Sequence, residues 1–302
     1  MKRVLSVSLG SSKRDKIVEM DLLGEKLSVE RRGTNGDTAL FAKTMEEADG
    51  QVDVLTVGGA DLAVRWEGRT WELVAMHKLV AGVKHTPLVD GSGVKESLEP
   101  RVVRWMQDEG LVDWQTAHVL VASGVDRFGM SGELRRLGAK NVIFGDFMLG
   151  LGVPMALTFR GVDIVARLCL PLMRRLPMSW LYPTGSSQDE IKPKYEKWYQ
   201  WADVIAGDFL LIKKHMPEAL TGKLIVTNTT TEEDVALLRA RGVKAVISTS
   251  VRVEGRSFGT NVLEGILTCL SGKERKDMGP EDFIATAERI GWKPDVMELG
   301  GA

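Results

Sequence analysis

Two glycines that bracket an aspartate and an arginine are the residues of this sequence best spaced for nucleotide chemistry. They stand in the run Gly124-Val-Asp-Arg-Phe-Gly129. In dinucleotide-binding turns of the form G-x-G-x-x-G, the outer glycines allow a tight turn and close helix packing, and the middle one lets the backbone approach the pyrophosphate. The outer positions match here. The turn therefore predicts that a nucleotide phosphate binds at the start of the helix that follows.

The middle position of this turn is Asp126, not glycine. A carboxylate beside a pyrophosphate is repelled unless it turns away or binds a metal or a sugar hydroxyl. Arg127 would partly offset the repulsion by pairing with a phosphate. Asp146 lies 22 positions after Gly124, about where the ribose-binding acid of such folds is expected. Two interpretations stay open: a nucleotide site, or a glycine turn that serves only helix packing.

Small and polar residues follow the later predicted strands as well. Asn228, Thr229 and Thr230 come directly after one strand, and Thr249 follows the next. Open parallel sheets bind ligands at the carboxyl edge of their strands, so these residues are candidates for cofactor contacts. The alternative is that Asn228 and Thr230 only cap a helix.

The first third of the chain offers hydroxyl-rich loops that each carry a lysine. Ser8 and Ser11 follow one predicted strand, and Asp90-Gly-Ser92-Gly-Val-Lys95 follows another. A polyhydroxylated or anionic substrate would suit such loops, and Lys95 with Asp90 could move a proton on a substrate hydroxyl. Arg256 could clamp a carboxylate or phosphate. Each loop is equally typical of a solvated surface.

The elements that must position these residues alternate between strands and helices. His118–Ala122 and Asn141–Phe144 are apolar runs, and Met130, Leu134 and Leu137 recur between them at helical spacing until Gly138. This is a βαβ unit, and the alternation resumes from Asp203. The fold class is therefore α/β: an N-terminal mixed α/β domain over 1–112, which could bind substrate, followed by a Rossmann-like doubly wound parallel sheet over 113–302 that would bind a nucleotide. A hairpin around Gly24 and a helix from Glu99 with Pro100 in its first turn are predicted in the first domain.

Composition narrows the class of partner. The formal net charge is -1, from 40 basic and 41 acidic residues that are interspersed, so neither nucleic acid nor an anionic membrane is expected as a partner. Cys169 and Cys269 lack disulfide-scaffold or zinc spacing, which fits a reducing cytoplasm. No convincing signal peptide or membrane span is expected. The predicted partner is a small-molecule substrate, and assembly into a homo-oligomer stays open.

As a whole, the chain resembles a set of bacterial proteins described as quinate/shikimate 5-dehydrogenase-like. The resemblance is carried by these phrases: Arg3–Ser12, Ser179-Trp-Leu-Tyr-Pro-Thr184, Trp201–Asp208, Thr227–Asp234 and Gly255–Val262. It implies a substrate-binding N-terminal domain, a Rossmann domain that binds NAD or NADP, and a Lys/Asp pair that handles the substrate proton. The Leu224–Thr230 run is similar to the family's strand and Asn-x-Thr beside the nicotinamide. The family's catalytic lysine motif has no clear counterpart, so Lys95 is a candidate on its own residue type alone.

Three functions are consistent with these patterns. The first is an NAD(P)-dependent oxidoreductase that acts on a cyclic hydroxy acid of the quinate/shikimate kind. The second is a non-catalytic α/β sensor that binds a small anion or a nucleotide. The third is phosphoryl or nucleotidyl transfer, which the serine-rich turn after the first strand would allow, although no Walker lysine motif supports it.

Overall fold

The computed structural model of the protein describes residues 1–177, 191–250, 252–253 and 256–300, with 252–253 and 256–257 described as backbone only. The N-terminal third contains β1 (Lys2–Ser8), β2 (Lys16–Leu22), β3 (Glu25–Gly33), α1 (Thr38–Ala48), β4 (Val54–Gly58), β5 (Ala63–Trp66), β6 (Arg69–Glu72), α2 (Val74–Leu79), β7 (Leu88–Val89) and α3 (Ser92–Asp108). Then follow β8 (His118–Val121), α4 (Phe128–Arg136), β9 (Asn141–Phe144), α5 (Phe159–Met173), α6 (Glu196–Trp201), β10 (Val204–Gly207), α7 (Phe209–His215), β11 (Leu224–Thr227), α8 (Glu232–Ala240) and β12 (Ala245–Ser248). The C-terminal part adds β13 (Arg252–Val253), β14 (Arg256–Ser257), α9 (Thr260–Ser271), α10 (Pro280–Arg289) and β15 (Asp295–Glu298).

The chain folds into two compact units, each built from several segments. The first unit comprises residues 1–97, the described part of 168–186, and 259–292. The second comprises 98–167, the described parts of 187–258, and the described part of 293–302. A single boundary at residue 112 would assign α9 and α10 to the second domain, whereas the structure assigns them to the first unit.

The first unit is organised on a sheet with strand order β2-β3-β1-β4-β7. β1 is paired in parallel with β3 on one side and with β4 on the other, while β2 runs antiparallel to β3 at the edge. The chain builds β3 through a hairpin on one side of β1 and then returns to build β4 on the other side. The reversal creates a switch point between the carboxyl ends of β1 and β4, the place where open α/β sheets hold ligands.

Both faces of this sheet are covered. Leu5 and Val7 of β1 pack in one buried cluster with Phe41 and Met45 of α1. On the other face α9 lies close to the strands because it has a glycine at the contact. A Cβ at Gly265 would lie 2.7 Å from Val4 Cγ1 and 2.8 Å from Thr56 Cγ2. Each large apolar side chain buried in this way contributes roughly 1.5–3 kcal/mol to stability.

The second unit contains a sheet with strand order β15-β12-β11-β10-β8-β9. β8 to β12 are parallel, and β15 runs antiparallel at the edge beside β12. Because helices cover both faces, the central strands are apolar throughout and do not alternate. The chain places β9 on one side of β8 and then returns to place β10 on the other, so the switch point lies between β8 and β10. The core joins Leu120, Ile205 and Ile225 of the strands to Phe209 and Leu238 of the helices.

The predicted α/β class with a Rossmann-like parallel sheet is confirmed. The βαβ unit is present at the predicted place: β8 and β9 are parallel, and α4 joins them. The hairpin around Gly24 is confirmed as β2 and β3. One helix differs, since α3 begins at Ser92 and not at Glu99, and Pro100 is therefore inside it. The cause is a local cap, because the Ser92 amide donates to Asp90 Oδ1 at 3.0 Å and starts the helix earlier.

The phrase Ser179–Thr184, which helped to carry the resemblance, lies outside the described residues. In the part of the chain that is described, every helix is too short or too polar to cross a bilayer.

Candidate functional site

Arg127 organises the carboxyl edge of the sheet in the second unit. It follows β8 and its side chain is only 4% exposed. Its guanidinium contacts Glu99 Oε1 at 2.5 Å, Asp126 Oδ2 at 3.0 Å and Asp208 Oδ2 at 3.2 Å. Burial alone would lower the pKa of Arg127, but the charges of Asp126, Glu99 and Asp208 outweigh it, so the pKa is raised and the side chain stays charged. One buried cation is thus surrounded by three carboxylates.

The cluster spans the switch point between β8 and β10. Asp208 follows β10 and caps α7, since its Oδ1 accepts from the Leu210 amide at 3.0 Å. Its Oδ2 also accepts from Asn228 Nδ2 at 3.2 Å, and Asn228 follows β11. Arg127, Asp208 and Asn228 follow three neighbouring strands and are joined by hydrogen bonds at one edge of the sheet. The side chains of Asp126 and Asp208 remain 28% and 34% exposed, so a ligand can reach their oxygens.

The predicted pyrophosphate position at the turn after β8 is occupied by the protein itself. Asp146 Oδ2 accepts from the Gly124 amide at 2.9 Å, and Asp146 Oδ1 accepts from the Val125 amide and the Ser123 hydroxyl, both at 3.1 Å. Burial raises the pKa of Asp146, although these hydrogen bonds act in the opposite direction. The backbone donors that would hold a phosphate are thus used by a carboxylate, and Asp146 caps the turn instead of binding a ribose.

The two glycines of the turn are explained by packing. A Cβ at Gly124 would lie 2.4 Å from Cδ1 of the Phe144 ring, so only glycine lets the turn pass this side chain. Gly129 lies in the first turn of α4. Asp126 turns to Arg127, which resolves the repulsion expected from a carboxylate in this position. Of the two interpretations of the turn, the one based on helix packing has the structural support.

The other predicted cofactor residues of the second unit differ in how far their side chains are exposed to solvent. Thr249 is buried and donates back to the carbonyl of Thr227 at 3.4 Å. Thr229 Oγ1 donates to the carbonyl of Phe258 at 3.1 Å, which fixes the loop after β11. Thr230 and Asn228 are half-buried beside the cluster. The α8 helix begins with a capping box formed by Thr231 and Asp234, so its cap is not supplied by Asn228 or Thr230.

The predicted proton-transfer residues of the first unit, Lys95 and Asp90, are both buried. Lys95 Nζ lies 2.7 Å from Asp61 Oδ1, and Asp90 accepts from the amides of Leu62 and Ser92. Burial alone would raise the pKa of Asp90, but the hydrogen bond from Ser92 and the charge of Lys95 outweigh it and lower the pKa. A carboxyl with a lowered pKa is a weak general base, so Asp90 acts here as a structural cap.

The predicted substrate residues are divided between the two units. In the first unit Ser8 ends β1 at the switch point, and Ser11 caps the short helical turn Ser12–Arg14. Ser92, also in the first unit, starts α3 and is buried. Arg256 is in β14 of the second unit, and its side chain lies outside the described atoms.

Asp208 follows β10 in the run Gly207-Asp208, one of the polar strand ends that the sequence indicates for the carboxyl edge, as it does Gly145-Asp146. Two other residues with buried polar contacts carry no such signal. Glu264 is buried in α9 and accepts from the Gly91 amide at 2.6 Å and from Arg275. Asn261 donates to the hydroxyls of Ser6 and Thr56. No sequence motif identifies Glu264 or Asn261, because the residues that they contact, Gly91 for Glu264 and Ser6 and Thr56 for Asn261, lie far away in the sequence. In the described residues, no group of His, Cys, Asp and Glu side chains is arranged to hold a metal ion.

Comparison with protein families gives two matches. The model described as "Domain of unknown function (DUF8754)" matches residues 93–299, and the model described as "Domain of unknown function (DUF8753)" matches residues 3–90. A search among curated proteins gives no match.

Several solved structures show a distant similarity. One is the substrate-binding protein of a sugar ABC transport system from Bordetella parapertussis 12822, at 12% identity and a TM-score of 0.39, with 100% of this chain and 92% of that chain covered. Another is an ABC transporter periplasmic solute binding protein from Actinobacillus succinogenes 130z with bound D-allose, at 8% identity and a TM-score of 0.37, with 99% and 98% covered. A third is the periplasmic binding protein component of the arabinose ABC transporter from Shewanella sp. ANA-3, at 10% identity and a TM-score of 0.38, with 95% of each chain covered.

These findings correct the expectations drawn from the resemblance. The identification with quinate/shikimate dehydrogenases is wrong, because the family models that match this chain are different ones. The predicted oxidoreductase activity and the NAD or NADP cofactor are wrong with it, and Asp146 gives the physical reason at the turn. The expected cytoplasmic location differs from the description of these similar structures, two of which are named as periplasmic proteins.

Proposed function

The chain belongs to the family described as "Domain of unknown function (DUF8754)", and we propose that it binds a small, neutral, polyhydroxylated molecule without transforming it. The site is the carboxyl edge of the second unit, at the switch point between β8 and β10. The ligand is held by the exposed oxygens of Asp126 and Asp208 and by the polar side chains of Asn228 and Thr230.

The charge balance of the edge is the observation that carries this proposal. Arg127 is buried and contacts three carboxylates, so its positive charge is more than compensated. A phosphate or carboxylate ligand would meet excess negative charge, which disfavours an anion. The predicted alternative of a binding protein is therefore retained, with a neutral ligand in place of the small anion.

Hydrogen-bond capacity favours hydroxyl groups as the ligand chemistry. An ionised carboxylate offers about four lone-pair sites. Asp208 uses some of its sites for Arg127, Asn228 and the Leu210 amide, and its exposure leaves room for a further donor. Vicinal hydroxyls are donors that can bind such a site on Asp208, and bonds to a charged acceptor contribute roughly 1.5–3 kcal/mol each.

The edge is also pre-organised. Because Arg127 holds Asp126 and Asp208 at 3.0 and 3.2 Å, neither carboxylate has to be ordered when a ligand arrives. The same contacts keep both aspartates engaged as acceptors, which suits binding better than proton transfer. The sugars named for the similar structures belong to those proteins, and the support here comes from the charges and exposure of this edge.

A thermal-shift panel tests the proposal. Neutral monosaccharides at millimolar concentration are expected to raise the melting temperature, since a ligand that binds only the folded state stabilises it by RT ln(1 + [L]/Kd). Asp208→Asn should reduce the shift, because it weakens binding. Glu218→Gln is the matched control, because Glu218 precedes β11 at the opposite edge and its side chain is 87% exposed. No shift with any neutral sugar, or equal shifts in both variants, would contradict the proposal.

A further inference from the structure

We propose a second ligand site in the first unit: the loop after β1 binds an oxyanion, such as the phosphate or carboxylate group of a small molecule, between Arg14 and Arg31. This site lies at the carboxyl edge of the first sheet and goes beyond the proposed function, which concerns the second unit.

Two guanidinium groups converge on one glycine. A Cβ at Gly10 would lie 2.9 Å from Arg14 Nη2, 3.2 Å from Arg31 Nη2 and 3.2 Å from Ser8 Oγ. Gly10 follows β1, and Arg31 is on the adjacent β3, where Ser8 is paired in register with Gly33. Because Gly10 has no side chain, the two Nη2 atoms and the Ser8 hydroxyl lie close together beside its backbone, where a methyl group would crowd them.

The two cations are only partly compensated. Arg31 Nη1 is engaged, since it donates to Asp15 Oδ1 at 2.7 Å and to the Ser11 carbonyl at 3.0 Å. These contacts fix its guanidinium, whose side chain is 16% exposed, and leave Nη2 directed at the space beside Gly10. Among the described residues the Arg14 guanidinium makes no ion pair or hydrogen bond. Among the described residues, Asp15 is therefore the carboxylate that pairs with Arg31, and Arg14 adds a second positive charge beside it.

Like charges this close repel each other. Burial is the main cause that lowers the pKa of Arg31, and the charge of Arg14 lowers it further, against the effect of Asp15. An oxyanion between the two groups would replace this repulsion by two charge-assisted hydrogen bonds. The planar guanidinium also matches pairs of oxygens on phosphate or carboxylate, which favours these ligands over chloride.

The Ser8 hydroxyl completes the set of donors. Its oxygen accepts from the Gly10 amide at 3.1 Å, which leaves the hydroxyl hydrogen for another acceptor. Ser8 is buried, so the hydroxyl is held in place. Its position at the switch point between β1 and β4 is where a parallel sheet of this order holds a ligand.

Isothermal titration with inorganic phosphate at constant ionic strength tests the site, with acetate and chloride as parallel arms. Phosphate or acetate should bind with an affinity that Arg14→Gln weakens roughly tenfold, the scale of a lost charge-assisted hydrogen bond. The matched control is Arg3→Gln, which removes an exposed arginine from the opposite end of β1, where it donates only to the Gln51 carbonyl and through its backbone to Asp53. Binding by phosphate and not acetate would assign a phosphate ligand, and the reverse would assign a carboxylate.

A second variant tests the geometry without a change of charge. Gly10→Ala places a methyl group where the two guanidinium groups meet, and it should weaken phosphate binding while the protein still folds, because Gly10 has no left-handed backbone. Equal phosphate affinity in the parent protein, Arg14→Gln and Gly10→Ala would overturn the inference. Sugar binding at the second unit should be unchanged in both variants, so failure of one site is distinguishable from failure of the other.

Discussion

Arg127 Nη2 and Asp208 Oδ2 lie 3.2 Å apart across the switch point between β8 and β10. The ion pair joins residues that follow two neighbouring strands, β8 and β10. β9 lies on the other side of β8 from β10. Arg127 also contacts Glu99 of α3 and the adjacent residue Asp126. One side chain therefore holds three carboxylates in place at this edge. The candidate ligand edge therefore depends on a residue that a ligand need not touch.

Replacing Arg127 should destabilise the protein strongly. Arg127→Ala would break the ion pair with Glu99, which is fully buried, and breaking a buried ion pair costs roughly 3–5 kcal/mol. Urea denaturation of the parent and variant measures the difference. Arg239→Ala removes an exposed arginine of α8 and should change stability by less than about 0.5 kcal/mol. Similar stabilities for the two variants would mean that the cluster contributes little.

Gly124 and Gly132 should respond oppositely to alanine. Gly124→Ala forces a methyl group against the Phe144 ring and should cost roughly 1–3 kcal/mol. Gly132 is in α4 with nothing within 4 Å of its Cβ position, so Gly132→Ala should stabilise the helix by about 0.5–1 kcal/mol. Melting temperatures of both variants test this. Phe144→Leu should partly rescue Gly124→Ala; a harmless Gly124→Ala would refute the packing explanation of the turn.

Asp146 should be replaceable by an external anion. Asp146→Ala leaves the amides of Gly124 and Val125 without their acceptor, at a cost of roughly 2–4 kcal/mol. Phosphate should then stabilise the variant more than it stabilises the parent protein. Asp146→Asn keeps an acceptor oxygen and should lose less stability. If phosphate has the same effect on parent and Asp146→Ala, the turn has no latent anion site.

His215 should make stability depend on pH. Burial lowers its pKa below the ordinary value, as does the charge of Lys214, against the hydrogen bonds with the Lys192 and Leu149 carbonyls. The unfolded chain therefore takes up the proton more readily, so this contribution is present above the unfolded pKa and is lost as the pH falls through the folded pKa. Between about pH 7.5 and 5, the melting temperature should fall less for His215→Gln than for the parent. His85→Gln, which replaces an exposed histidine, should follow the parent.

The sequence was informative where neighbouring residues decide the structure. The apolar runs around β8 and β9 and the helical spacing between them predicted the βαβ unit, because both periodicities are local. The start of α3 was missed because Asp90, two residues before Ser92, caps the helix ahead of Pro100. A proline inside a helix is a weaker signal than the cap that precedes it.

Long-range contacts decided what the sequence could not show. Gly124 and Gly129 fit a dinucleotide turn, yet the same spacing fits a turn whose amides are occupied by Asp146, and only the fold distinguishes the two. The sequence pattern also does not show that α9 belongs to the first unit, because its contacts with Val4 and Thr56 join residues far apart in the sequence. Asp208 joins Arg127 from 81 positions away, so spacing alone could not pair them.

Isothermal titration of a neutral monosaccharide into the parent protein, Asp126→Asn and Asp208→Asn is the most direct test of the proposed ligand edge. The charge balance around Arg127 predicts saturable binding to the parent that each substitution weakens roughly tenfold, with Glu218→Gln unchanged. Binding that is unchanged in both aspartate variants, or that is found only for a sugar phosphate and not for the neutral sugar, would contradict it.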